Sequence, residues 1–576
     1  MMKVTIMNTK RIIHRRHQII YWIVLLLSCF ILRVSAQTIN INWDNVRQEI
    51  DGFGASAAFK QADNLKKFPI ETRTKILDLL FSQTEGIGLS MVRNMVGDGS
   101  IHEWGNEIDG PIETIYPEKG KWNFDAVDEQ IWFMKEARAR GCERFYSTVW
   151  SPPRWMKTNN SCIKGGSLKE ENYGDYAEYL YQYVTEYMKK RNDIDIYAIS
   201  VANEPDFSGS YSSCKWTGNQ FRDFIRDHIG PLFKDEHKIE TKIMIGEEMS
   251  WTEHPALPTL NDPNAVKYLD IVGSHNYKNP NNYRPFSTTK SKNKRVWQTE
   301  VSNLKDNNRS IGDGLGWAGQ IHSFLTNAEG NSWCYWWTIC YKVNPEKGEA
   351  LININTSDKT YFTNKRLFTM GNYSRFVRPG WVRISTSATS SNNVQITAFK
   401  NPGTNDFAIV AINNNNSAQT RSFKIDGHDI STVTPYVTSA NKDLAEGKVI
   451  SLSNGSFNAS LPAQSVSTFY HKSKSTPVND RDKKRSLNSD NKLNLSISIV
   501  NSKKLILRNT LSKHFFDGTF TIYPVSGKKI THYTLANHKE YKTVFFSLPE
   551  NIGAGIYYYR FVNKNSIYTG VLQLTE

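Results

Sequence analysis

Three carboxylates follow apolar runs that read as buried strands: Glu204 in "AISVANEPDF", Glu300 in "RVWQTEVS" and Glu248 in "KIMIGEEMS". A lone glutamate at a strand end is ordinarily a solvated loop residue. Two of them, each after a long apolar run and each in tryptophan-rich surroundings, suit a different task. One protonated and one ionised carboxyl group about 5–5.5 Å apart can cleave a glycosidic bond with retention. One donates a proton to the leaving oxygen while the other attacks the anomeric carbon. Glu204 and Glu300 are the pair expected to do this. Their separation is not readable from sequence.

The neighbouring residue types fit the same chemistry. Asn203 precedes Glu204 and could donate its amide to a sugar hydroxyl, and Pro205 fixes the turn after it. Arg93 sits late in the run "GLSMVRNMV", where an arginine inside a core needs a carboxylate to serve, and Glu300 is the candidate. His275 and Tyr277 close "GSHNY"; the histidine could orient a glutamate, bond substrate or simply pack. Trp150 and Trp155 flank the proline break in "WSPPRWMKTN", and Trp336 and Trp337 stand in "WCYWWTI". Such faces beside breakers are candidate sugar-stacking platforms, though one or two could belong to the core.

Something must carry these residues to one place. Between Asp51 and about residue 377, eight strand-like runs alternate with helical ones such as "FDAVDEQIWFMKEARARG", which shows helical spacing of apolar residues and stops at Gly141. Eight strand–helix units in one stretch point to an α/β fold, a (β/α)8 TIM barrel, whose active site lies at the C-terminal ends of the strands. A doubly wound sheet is the alternative, but no glycine-rich phosphate loop follows the first strand. Residues 378–471 switch to a period near two, broken by Gly, Asn and Ser, and read as a side antiparallel β-sandwich. Residues 37–50 could add an edge strand to it. Residues 472–492, "KSKSTPVNDRDKKRSLNSDNK", are a polar linker with little to bury. Residues 493–576 read as a small all-β domain.

Residues 1–36 combine a basic stretch, the apolar run "IIYWIVLLLSCFIL" and a small-residue "VSA" site, the pattern of a secretory signal peptide. A secreted or cell-surface protein is expected, with no membrane span after its removal. The 576-residue chain has a formal charge of +15. It shows no Arg/Lys stripe or zinc-finger spacing, so no nucleic-acid partner is expected. Six cysteines are too few for a disulfide scaffold, and no Cys-x-x-Cys or His-x-x-x-His set suggests a metal. Cys162 and Cys214 lie in loops and could pair.

Together, "WSPPRWMKTN", "VANEPDF", "GSHNY", "WQTEVS" and "NYSRFVRPGWVRI" resemble glycoside hydrolase family 30, most closely its bacterial glucuronoxylanase branch, over roughly three quarters of the chain. The resemblance implies a barrel with a side sandwich built from both flanks. It implies retaining endo-cleavage of a xylan-type polysaccharide with Glu204 as acid/base and Glu300 as nucleophile, Glu248 as a supporting residue, and neither metal nor cofactor. A monomer is expected. An exo-acting β-glycosidase, an endo-glucanase and a non-catalytic carbohydrate-binding protein are the alternatives. The branch usually reads a glucuronate on xylan with arginines after strands seven and eight. The stretch "WTICYKVNPEKG" here has none, leaving Arg309 in "VSNLKDNNRSIGDG", with Lys305, Lys342 and Lys347, to fill that role. The tail, with "GTFTIYPVSGKKI" and "GAGIYYYRFVN", loosely resembles a type IX secretion sorting domain, which would make secretion machinery a partner. A carbohydrate-binding module is the alternative there.

Overall fold

The computed structural model describes residues 38–100, 103, 112–278, 282–304, 308–341, 348–473 and, in the tail, 495–501, 504–509, 516–524, 531–538, 543–547, 555–563 and 566–574. The signal peptide and nearly all of the polar linker fall outside these residues. The chain forms two compact units, residues 1–474 and 475–576.

In the first unit a long strand, β1 (Thr38–Glu49), precedes eight parallel strands. These are β2 (Gly52–Ser56), β3 (Met91–Val96), β4 (Arg144–Val149), β5 (Ala198–Ser200), β6 (Lys242–Gly246), β7 (Ile271–His275), β8 (Arg295–Glu300) and β9 (Ser332–Tyr341). They pair in sequence order, and β9 also pairs with β2, so the sheet closes into a barrel. Helices cover its outside, among them Ile70–Phe81, Glu129–Ala139, Tyr173–Gln182, Ile311–Ser323 and Lys365–Ser374. Strands covered on both faces must be apolar throughout, and every residue of β2, β3, β5 and β7 is buried.

Side chains alternate along each strand, so the barrel interior is layered. Met91, Tyr146, Ala198, Met244, Ile271, Trp297 and Cys334 form one apolar layer, each from a different strand. Two residues further along β3 and β4 the same inward face carries Arg93 and Thr148, so the next layer toward the C-terminal mouth is polar. Two short strands, β10 (Ala350–Asn355) and β11 (Thr360–Thr363), extend the sheet beyond β9; the sequence reading assigned neither.

The sandwich region is a second, eleven-stranded sheet with the main order Lys442–Glu446, Thr432–Ser439, Ser465–His471, Phe407–Asn413, Val394–Lys400, Val382–Thr386, β1, Gln419–Asp426, Ser456–Leu461. β1 is therefore not an edge strand. It pairs antiparallel with Val382–Thr386 on one side and parallel with Gln419–Asp426 on the other. Its Ile39, Ile41 and Trp43 enter the sandwich core, which explains why the strand is long and alternating. The strand "FAIVAIN" is buried on both faces: Ile409 and Ala411 face the sandwich core while Ala408, Val410 and Ile412 join the barrel core. The tail unit holds a three-stranded and a four-stranded antiparallel sheet. No helix among the described residues is long and apolar enough to cross a membrane.

At the closed end of the barrel the buried carboxylate of Asp51 ties three strands together. It accepts from Arg144 Nη1 at 2.7 Å and from Trp297 Nε1 at 2.8 Å. Asp51→Ala would strand a largely buried guanidinium and an indole N–H. It should lower unfolding stability by about 3–5 kcal/mol, read by denaturant titration, while kcat per folded molecule stays unchanged.

Candidate active site

At the open end of the barrel one fully buried guanidinium organises the polar layer. Arg93 on β3 donates Nη1 to Glu300 Oε2, Nη2 to Asn203 Oδ1 at 2.6 Å and to Glu247 Oε1 at 3.2 Å, and Nε to Thr148 Oγ1 at 3.2 Å. Its Cζ lies 4.4 Å from the Trp150 ring centroid, so the indole face covers the cation. A buried charge persists only when its donors and field are satisfied, and here four side-chain oxygens from β4, β8 and the loops after β5 and β6 do so.

Backbone geometry aims the carboxylates. On β8 a bulge opposite Ser274 and His275 skips one residue of register. Trp297 points into the barrel, so strict alternation would present Thr299; the bulge re-aims the strand and brings Glu300 in. Glu204 stands four residues past β5 in the left-handed region, φ +44°. Its N–H donates to Glu247 O at 3.1 Å, and Asn203 N–H donates to Val149 O at 2.7 Å, so neighbouring strands hold the strained turn. Glu247 is also left-handed, φ +55°. Met244 faces inward, and alternation would bring Glu248 in after it. The positive φ values at Gly246 and Glu247 break that alternation and deliver Glu247 instead. Glu248 is half-buried and stands outside the cleft lining.

The pair expected from sequence does converge. Oxygens of Glu204 and Glu300 and a ring nitrogen of His275 all lie within 4.8 Å of one another. Tyr277 donates its hydroxyl to Glu300 at 2.8 Å, and Tyr211 donates to Glu204 at 2.7 Å. His275 is fully buried, with Nδ1 3.4 Å from Glu204 and Nε2 3.8 Å from Glu300. Phe59, Trp150, Trp336, Trp337, Tyr211 and Tyr277 line a cleft of about 560 Å³ around the two glutamates, with Lys164, Leu304 and Glu349 also on its walls. Trp336 and Trp337 both reach the cleft because a second bulge, in the β2–β9 pairing, removes their alternation. The two carboxylates and His275 could also ligate a cation, but Arg93 already sets a fixed positive charge against Glu300.

Several expected residues lie elsewhere. Trp155 is absent from the cleft lining. Its Nε1 donates to Tyr116 O at 3.1 Å and its ring packs edge-on against Tyr116, so it ties the loop after β4 to the segment that follows β3. Arg309 is exposed and stacks on Phe362 of β11, its Cζ 3.4 Å from the ring centroid, also off the cleft lining. Lys305, Lys342 and Lys347 lie outside the described residues. Cys162 and Cys214 do not pair; both are free, buried thiols whose Sγ atoms face different carbonyls, Asp98 O and Lys215 O. Glu247 and Tyr211 were missed. Glu247 is adjacent to the expected Glu248, but nothing in the pattern marks a tyrosine seven residues past Glu204.

Electrostatics set where the site's proton resides. Burial alone would raise Glu204, but the His275 ring, the Tyr211 hydroxyl and Arg93 bring it below its ordinary value. Burial raises Glu300 above its ordinary value, helped by the Glu204 charge and opposed by His275, Arg93 and Tyr277. Burial works against a charged His275, yet Glu300 and Glu204 carry its pKa above the ordinary value. The low value of Glu204 therefore depends on a protonated His275 beside it. A proton moved from His275 to Glu204 leaves the net charge unchanged and removes that support. Arg93 stays charged throughout and keeps its bond to Glu300. His275, held above its ordinary value, is thus the proton-bearing neighbour of Glu204, while Glu300 is bonded to a permanent cation.

Comparison with known proteins decides the family. Residues 36–282 match O-Glycosyl hydrolase family 30, and residues 380–469 match the Glycosyl hydrolase family 30 beta sandwich domain. Glucuronoxylanase XynC of Bacillus subtilis is 31% identical over 333 residues, which are 56% of this chain and 73% of that one. The chain belongs to glycoside hydrolase family 30. Among solved structures, the family 30 subfamily 8 xylanase Xyn30A of Clostridium acetobutylicum superposes with a TM-score of 0.62 at 31% identity, covering 75% of this chain and 99% of its own. The catalytic domain of family 30 xylanase C from Talaromyces cellulolyticus does so with 0.65 at 29% identity, covering 76% and 100%. The protein is a glycoside hydrolase with a closed barrel and a side sandwich, as its sequence implied.

This family 30 hydrolase should lose its mobile proton only above the ordinary histidine range, because His275 is raised. In His275→Gln that proton can sit only on a carboxyl group, whose ordinary pKa is lower than that of an imidazole. The alkaline limb of kcat/KM should then move to lower pH, while an unmoved limb would show that His275 does not share that proton.

Proposed function

We propose that the protein is a secreted retaining endo-β-1,4-xylanase. The observation that carries the mechanism is the approach of Glu204 and Glu300 to within 4.8 Å. Retaining pairs stand about 5–5.5 Å apart, whereas inverting pairs leave about 6.5–9.5 Å for a water. Glu300, bonded to Arg93 and Tyr277, is the nucleophile. Its carboxylate attacks the anomeric carbon as the leaving oxygen takes the proton from Glu204, forming a glycosyl ester and freeing one end of the chain. Glu204, now a carboxylate, takes a proton from water, which attacks the same carbon and releases Glu300. Arg93 stabilises the departing carboxylate in the second step. His275 and Tyr211 support Glu204 through both proton transfers. Asn203 is held by Arg93 beside the acid, with its amide available to a sugar hydroxyl.

Xylan as substrate is supported by the relatives, whose names are glucuronoxylanase and xylanase, and by an open cleft walled with Trp150, Trp336 and Trp337. Arg309 lies off that cleft, so we expect no strict need for a glucuronate branch. Both glucuronoxylan and unbranched xylan should be cut to oligosaccharides, which mass analysis of the products reads directly. Release of monosaccharide alone would point to an exo-acting enzyme.

Glu300→Gln should abolish hydrolysis and leave a folded protein that binds xylan. Glu204→Ala should retain most glycosylation on substrates with an acidic leaving group, since the lost function is proton donation. A fluoro-sugar trapped on any residue other than Glu300, or an inverted anomer seen by NMR in the first product, would refute the assignment.

Secretion through the N-terminal signal and a sorting role for the tail belong to the same proposal. Residues 1–474 are a compact unit by themselves. The chain cut after Lys474 should therefore keep xylan hydrolysis while failing to leave the periplasm of its host. Normal export of the shortened chain would end the sorting role, and lost adhesion to insoluble xylan would favour a binding module.

A further inference from the structure

The helix Ile311–Ser323 carries glycine at positions 312, 314, 316 and 319. Glycine is the poorest helix former after proline, because it gives up the most backbone freedom on folding. Gly314 has a reason to be there: a Cβ would press against Lys365 and Thr369 at about 3 Å. The other three have none within the protein. A Cβ at Gly316 would meet nothing within 4 Å, and one at Gly312 or Gly319 only ordinary contacts at 3.5 and 3.6 Å. Their spacing of four and three residues puts them on one helix face, so a strip of helix backbone is left bare.

That strip is one wall of a groove of about 560 Å³, with none of its described lining residues shared with the cleft, whose opposite wall belongs to the sandwich with Ser390, Gln395 and Asn414. His322 lines the same groove, is 4% exposed, and its Nδ1 has no hydrogen-bond partner. A buried polar atom without a partner is a standing cost that a ligand can relieve. Burial, reinforced by the Arg383 charge, pushes the imidazole down to about 4, so the ring is neutral and offers one donor and one acceptor. The described lining consists of hydroxyls, amides, bare backbone, the His322 imidazole and the single aliphatic side chain of Leu315, with no acid, lysine or arginine.

We propose that this groove is a second, non-catalytic binding site for a neutral stretch of β-glycan chain. A charged ligand would find no charged side chain in the described lining, and an apolar peptide little apolar surface. A sugar chain offers rows of hydroxyls that match the amides and hydroxyls of both walls, and glycines at 312, 316 and 319 let it lie against the helix. Such a site would hold the polymer on the enzyme while the cleft acts on it. The inference rests on the reading of the protein as a polysaccharide hydrolase.

The test uses the full chain and two variants from opposite walls. Gly316→Leu fills the groove and replaces glycine with a good helix former, so its Tm should not fall. Gln395→Ala removes a polar group from the sandwich side without touching the helix. Both should hydrolyse xylotetraose like the unmutated enzyme. In depletion assays on insoluble unbranched xylan, both should bind with an apparent Kd raised about tenfold, the scale of one or two lost hydrogen bonds. Unchanged xylan binding by both variants would overturn the site. Hydrolysis of soluble xylan by the unmutated enzyme checks the underlying reading separately. If xylan is not cut, the same depletion comparison on cellulose and β-1,3-glucan decides the groove.

Discussion

The structure of the cleft depends on one interaction, the burial of the Arg93 guanidinium at the centre of the barrel mouth. An unpaired arginine in that position would cost several kcal/mol. Three side-chain oxygens, from Glu300, Glu247 and Asn203, neutralise or solvate it, and the Trp150 ring covers one face. Each partner arrives from a different part of the barrel. The ion cluster therefore couples the closure of the barrel to the assembly of the site. It also explains why two largely buried carboxylates and a fully buried histidine can sit together at the base of the cleft. Mutual repulsion between Glu204 and Glu300 is offset by a charge that does not titrate.

The same arrangement divides labour between the two glutamates. Glu300 faces a permanent cation and a tyrosine hydroxyl. Glu204 faces a tyrosine hydroxyl and a histidine whose charge comes and goes. The difference lies in the kind of partner more than in burial, since both carboxyls are buried. A proton can cross between His275 and Glu204 without altering the charge of the site, and that freedom fits the acid/base role proposed for Glu204.

The side sandwich is as much a part of the enzyme core as the barrel helices are. "FAIVAIN" packs apolar residues against both, and β1 threads the sheet between strands drawn from far later in the chain. The groove beside Ile311–Ser323 exists because of this junction: a glycine-faced barrel helix meets a polar sandwich edge. Composition alone would have ranked those glycines as weak points in a helix. Their meaning lies in what stands opposite them.

Sequence by itself determined the barrel, the side sheet and the two central glutamates. Alternating apolar strands and amphipathic helices in eight units leave few other closed solutions, and inward-facing Arg93 and His275 follow from strict alternation along β3 and β7. Where alternation holds, sequence suffices. Tertiary structure decided the positions where alternation breaks. The bulge on β8 turns Glu300 inward, the bulge in the β2–β9 pairing brings both Trp336 and Trp337 to the cleft, and left-handed residues at the end of β6 present Glu247 in place of Glu248. Loop residues were decided the same way. Tyr211 reaches Glu204, whereas Trp155 and Arg309 turn to Tyr116 and Phe362, because a loop side chain takes the partner that neighbouring elements place beside it. A bulge or a positive φ is a property of strand pairing across the barrel, set by residues distant in sequence, and so it leaves no periodic trace in the chain itself.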